Sequence, residues 1–200
     1  MAGNFDAILD PLPEDIDDPT IRANWIGGLQ TRFATRQEYY YLHNDESCVA
    51  AHPGADAYLC DLPSHVRLNH ITTPYFLRQD LRDPVQYGGF QLTGASLAQF
   101  ATAVRKTALR VPDIQTNAEE KADIVRAPGV HVSNCGQHIV LLNPPWFGVA
   151  TQGNATVETP NGTPITVHDA LGSWILGNTV SAIDTQPSTL SVCAATSSEQ

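Results

Sequence analysis

Two side chains stand out for the chemistry they could do together. Asp83 sits in Leu81-Arg82-Asp83-Pro84-Val85-Gln86, and His138 closes Asn134-Cys135-Gly136-Gln137-His138. An imidazole can take the proton of an attacking hydroxyl. A carboxylate behind it holds the imidazole in the right tautomer and stabilises the imidazolium that forms. Asp80 lies in the same segment and is the alternative acid. Two other readings use the same residues. Cys135 with His138 is a thiol–imidazole pair, and Cys135, His138 and His131 are a candidate metal set without a fourth ligand placed by spacing. The seven histidines of this acidic chain read mostly as solvated or hydrogen-bonded surface groups.

The elements that must position these groups are short. Ile71-Thr72-Thr73-Pro74-Tyr75-Phe76-Leu77 is β-branched and aromatic, and reads as a buried strand with Pro near its start. The polar, Pro/Gly-punctuated stretch from Arg78 to Gly89 reads as the loop leaving that strand, and it carries Asp83. Gly129-Val130-His131-Val132-Ser133 reads as a second strand, and the loop after it carries His138. Reactive groups in open α/β sheets gather on such strand-exit loops. Between the two strands, Ser96-Leu97-Ala98-Gln99 has capping-box form. Leu97, Phe100, Ala101, Val104 and Ala108 continue it as a helical stripe that should stop before Pro112.

Upstream, the acidic, proline-rich stretch from Asp6 to Pro19 reads as loop, and Asp18-Pro19 as a helix start. Ile21, Trp25, Ile26 and Leu29 then fall at helical spacing, with Phe33 beyond a weak point at Gly27-Gly28. Downstream, Thr156 to Thr159 and Ile165 to Val167 flank Asn161-Gly162 as a small hairpin. Val167 to Gly177 reads as a last short helix ending at glycine, and residues 184–200 as a loosely ordered tail. The fold class expected is α/β, one domain over residues 1–200, with fewer strands than a wide parallel sheet requires.

Composition excludes several functions. The 200 residues hold 11 Lys plus Arg against 21 Asp plus Glu, a net charge of −10. Nucleic-acid backbones and anionic lipid surfaces need a basic footprint that is missing. No apolar run approaches the roughly 20 residues of a membrane span. The four cysteines, Cys48, Cys60, Cys135 and Cys193, show no Cys-x-x-Cys spacing. Cys48 and Cys60 bracket a polar segment that a short disulfide would pin, which points to an oxidising compartment. Asn154-Ala155-Thr156 and Asn161-Gly162-Thr163 are glycosylation sequons in sequence that reads as exposed loop. The first residues carry no basic or apolar leader, so a secreted protein with these features is expected to be a piece of a longer precursor.

The wording of the segments resembles the pectin acetylesterase and Notum family of serine esterases. Thr73-Pro74-Tyr75-Phe76-Leu77 followed by Asp83-Pro84-Val85-Gln86 is similar to that family's strand running into an Asp with Gln three residues on. Gln91-Leu92-Thr93-Gly94, Cys135-Gly136-Gln137-His138, Trp146 and the segment Ala170 to Trp174 follow in family-like order, and the Cys48…Cys60 region is similar to its cap side. The resemblance runs from about Thr20 to about Gly177. It implies the C-terminal portion of an α/β-hydrolase fold, a partial parallel sheet with flanking helices. It implies Asp83 and His138 as acid and base, Cys193 as partner of Cys135, and no cofactor or metal. The substrate class it implies is a small-acyl ester on an extracellular polysaccharide or an acylated protein. The departures are as informative. No Gly-x-Ser-x-Gly elbow and no glycine-rich oxyanion loop precede Asp83, so the nucleophile is expected on an N-terminal complementary segment. The alternative is a non-catalytic fragment or binding module on the same fold.

Overall fold

The computed structural model describes residues 9–40, 45–117, 128–133, 157–158 and 164–183. Six α-helices and five strands are formed among them: α1 (Pro19–Tyr40), α2 (Glu46–Ala51), α3 (Pro63–Asn69), β1 (Phe76–Asp80), α4 (Pro84–Gln91), α5 (Leu97–Asn117), β2 (Gly129–Ser133), β3 (Val157–Glu158), β4 (Pro164–Ile165), α6 (Val167–Ile175) and β5 (Ser181–Ile183). Strands β1, β2 and β5 pair in that order into a parallel sheet, while β3 and β4 form a separate antiparallel pair. The architecture is therefore helices around a small parallel sheet, an α/β arrangement.

Every residue of β1 and β2 is buried, as expected of a parallel sheet covered on both faces. Alternation splits β1 between two cores, while the valines of β2 face one of them. Leu77, Val130 and Val132 join the larger core with Ile21, Trp25 and Leu29 of α1 and Phe100, Val104, Ala108 and Val111 of α5. Phe76 joins the smaller core with Val167, Ala170 and Trp174 of α6. Gly129 stands opposite Phe76 in the register. A Cβ there would lie 2.5 Å from Phe76 Cδ2 and 2.8 Å from Trp174 Cδ1, so only glycine lets α6 close on the sheet.

The local signals explain most boundaries. Asp18 Oδ1 accepts from Thr20 N (2.8 Å) and Ile21 N (3.1 Å), capping α1 as its sequence suggests. The helix runs through Gly27-Gly28 because Ile21, Trp25 and Leu29 anchor one face in the core, outweighing about 1 kcal/mol per glycine. Ser96 and Gln99 cap α5 reciprocally: Ser96 N donates to Gln99 Oε1 (2.9 Å) and Gln99 N to Ser96 Oγ (3.3 Å). Helix α6 closes at Gly177, whose φ of 100° is left-handed.

Four readings need correction. The strand begins at Phe76 rather than Ile71, and it continues through Arg78, Gln79 and Asp80, which read as loop because they are polar. The rest of that loop is largely α4. Helix α5 passes Pro112 to reach Asn117; a proline removes one N–H donor, and the packed stripe up to Val111 outweighs that loss. The stretch before Pro19 is not bare loop. Leu9, Leu12 and Ile16 are buried and Pro13–Asp15 forms a 3₁₀ turn, held because Thr107 Oγ1 donates to Asp15 (2.8 Å) and Arg110 meets the same carboxylate through Nε (3.0 Å) and a terminal nitrogen (2.8 Å).

Candidate functional site

The C-terminal ends of β1 and β2 lie side by side, with Asp80 opposite Ser133. Asp80 is fully buried. It accepts from Arg78 on the same strand face (2.6 Å) and from the Ser133 hydroxyl across the ladder. Arg78 is itself buried, so this pair neutralises two charges that water cannot reach. Leu81 N still donates to Ser133 O (2.8 Å), and the chain then turns, with Asp83 N reaching Asp80 O (3.2 Å).

Asp83 ends that turn and is the N-cap of α4. Its Oδ1 accepts from Val85 N (2.9 Å) and Gln86 N (3.1 Å), with Pro84 at the first helical position. The Asp-x-x-Gln spacing is thus also the spacing from a cap to the third helical residue. Gln86 adds a second link. Its side chain accepts from Gln79 of β1 and donates to Asp10 (3.4 Å), and Gln79 in turn accepts from Leu9 N (3.0 Å). The turn bearing Asp83 is therefore tied to the sheet, to α4 and to the N-terminal segment. A buried carboxylate held by backbone donors cannot swing with its loop.

His138 follows the end of β2 by five positions in the sequence, and it lies outside the described residues, as do Cys135, Cys193, Trp146, Asn154, Asn161 and the tail from 184. His131, from the alternative metal set, is buried within β2 with Nε2 3.4 Å from Ile165 O.

Cys48 and Cys60 are disulfide-bonded, with Cα atoms 5.6 Å apart. The segment between them is not an irregular loop. It holds α2 and a 3₁₀ helix, Gly54–Asp61, so the bond joins two short helical pieces. Beside it lies a group that the sequence reading misses. His52 at the end of α2, His65 within α3 and His70 at its end converge, with ring centroids 4.7, 5.7 and 5.5 Å apart. Burial, with His52 and His70 close by, pushes the His65 pKa down to about 4. The spacing His-x₁₂-His-x₄-His matches no short metal motif, and two helices must pack before the three meet.

No protein-family model matches the chain, and neither does any curated protein or solved structure.

Proposed function

We propose that this chain supplies the acid and base of a serine carboxylesterase triad, with Asp83 as acid and His138 as base, and that it forms the C-terminal portion of an α/β-hydrolase sheet. The observation that carries the reading is the placement of Asp83: rigidly held, buried, at the C-terminal end of a parallel strand whose neighbour leads within five residues to His138. In such a site the imidazole takes the serine proton and returns it to the leaving alcohol. The fixed carboxylate keeps the imidazole's second nitrogen protonated and facing inward. The serine and oxyanion donors belong to an N-terminal complementary segment. The substrate class is a small-acyl ester of an extracellular polysaccharide or an acylated protein. The Cys48–Cys60 bond suits an oxidising, extracytoplasmic setting, and among the described residues no helix is long and apolar enough to cross a membrane.

The test begins with the coding sequence upstream, where a Gly-x-Ser-x-Gly elbow is expected. The protein carrying that segment should hydrolyse p-nitrophenyl acetate and lose turnover on His138→Ala. Full activity in that variant removes the triad. A second reading, a non-catalytic binding module, is favoured by one feature: Asp83 and Gln86 both have structural work in holding α4. Absence of any upstream nucleophile selects it.

A further inference from the structure

We propose that His52, His65 and His70 form a binding site for a divalent transition-metal ion, with Zn²⁺ the best fit. The inference is independent of the esterase reading. Three observations converge on it.

The first is the geometry of the donors. One ligand atom from each histidine, together with Cys48 Sγ, falls within a set whose members all lie within 4.8 Å of one another. His65 Nε2 stands 3.0 Å from His52 Nε2, a hydrogen bond in the ion-free chain whose proton must move off these two nitrogens before both can bind an ion. Two nitrogens bound at roughly 2.0–2.1 Å to a tetrahedral zinc stand about 3.3 Å apart, so this pair already has close to the edge length of the coordination tetrahedron.

The second is the state of His70. Its Nε2 is buried and has no hydrogen-bond partner. Its Nδ1 is 3.1 Å from Ser47 Oγ, and that hydroxyl donates to Asp45 Oδ1 (2.5 Å). Because the Ser47 proton is committed to a carboxylate, its oxygen accepts from Nδ1–H of His70. Nε2 is then left as a lone pair. A carboxylate acting through a hydroxyl to fix the tautomer of a histidine is the outer-shell arrangement that metal-binding imidazoles use. A buried lone pair without a donor is costly unless something such as a cation meets it.

The third is the frame. The disulfide joins α2, whose C-cap is His52, to the 3₁₀ helix that leads into α3, which carries His65 and has His70 as its C-cap. Asn69 Nδ2 donates to the His65 carbonyl (2.9 Å) and steadies the end of α3. Cys48 Sγ is bonded to Cys60 and cannot serve as a thiolate while the disulfide stands. The ligand set is therefore three neutral imidazoles, with no carboxylate among them. That composition suits Zn²⁺, Cu²⁺ or Ni²⁺ and not Ca²⁺ or Mg²⁺. With three protein ligands, Zn²⁺ keeps its fourth position for water or an exchangeable ligand.

The experiment uses the full chain, freed of metal by a chelator, its disulfide verified by mass. Titration with ZnCl₂ in a calorimeter should show one ion per chain. His52→Ala, His65→Ala and His70→Ala should each weaken binding by more than the roughly 10–100-fold that loss of an outer-shell partner costs, and Ser47→Ala by about that amount. His168→Ala, which removes an exposed histidine on α6, should leave the affinity unchanged. Co²⁺ in the unaltered chain should give the absorption of a tetrahedral, nitrogen-ligated ion without a thiolate charge-transfer band, a readout that depends on no variant folding. Absence of binding, equal affinity in the His52→Ala/His65→Ala/His70→Ala protein, or a thiolate band with the disulfide intact would overturn the proposal.

Discussion

Changing Asp83 to asparagine separates the two tasks available at that position. The cap uses Oδ1 as a double acceptor for Val85 N and Gln86 N, and an asparagine carbonyl can take both bonds. Asn and Asp rank together as N-caps, so Asp83→Asn should change stability by less than about 0.5 kcal/mol, whereas Asp83→Ala should cost roughly 0.5–2 kcal/mol. Turnover should respond quite differently. The amide favours the wrong imidazole tautomer, and the loss should approach 10⁴-fold, roughly the scale of an acid-to-amide change in a serine-protease triad. Asp80→Asn provides the contrast. It leaves the Arg78 guanidinium, 6% exposed, without the charge that meets it, at a cost of about 3–5 kcal/mol. Urea unfolding followed by circular dichroism measures the stability of each variant. Hydrolysis of p-nitrophenyl acetate, in the protein carrying the nucleophile-bearing segment, measures the chemistry. A stable Asp83→Asn protein with unchanged turnover would refute Asp83 as the acid. A loss of several kcal/mol in that variant would refute the claim that its cap survives the amide.

Other consequences are measurable on the chain itself. Replacing Cys48 and Cys60 by serine opens a 12-residue separation and should lower stability by roughly 3 kcal/mol, read from urea midpoints; an unchanged midpoint would mean that the helical packing alone holds this region. Gly129→Ala places a methyl against Phe76 and Trp174 and should cost about 1–3 kcal/mol, with a blue- or red-shifted Trp fluorescence reporting the displaced indole. Asp10 is raised above its ordinary 3.8 by burial, with Arg32 and Arg67 pulling the other way. Its native state therefore holds the proton longer than the unfolded chain does, so its contribution is fully present below pH 3.8 and is lost as pH rises through the native pKa. Asp10→Asn should lose that pH dependence, so melting temperatures of the two proteins should diverge in favour of the variant as pH rises from about 3.8; parallel curves would contradict the assignment.

Much of the secondary structure was written locally. Asp18-Pro19 and Ser96-x-x-Gln99 each fix a helix start by hydrogen bonds that span two or three residues, so no distant contact is needed to read them. Strand β2 was legible because Val130 and Val132 alternate within a short, glycine-bounded run, and the turn of the chain at Gly177 because only glycine adopts its φ cheaply. The cysteine pair was legible from its close spacing around a polar segment.

What the sequence could not carry were the features whose cause lies far along the chain. Arg78, Gln79 and Asp80 read as loop because polar side chains are normally exposed, yet they complete β1. Gln79 and Asp80 find partners there because Ser133, Gln86 and Leu9 reach them from positions 7 to 70 residues away, and Asp80 in turn meets the charge of Arg78. Asp15 is partnered in the same way, since Thr107 and Arg110 arrive from α5. The three histidines show the limit most sharply. Separately each is an ordinary polar residue, and the sequence set them on the surface. Their convergence comes from how α2 and α3 pack beside the Cys48–Cys60 bond, because imidazole nitrogens about 3 Å apart are a product of helix placement, which spacing along the chain does not encode.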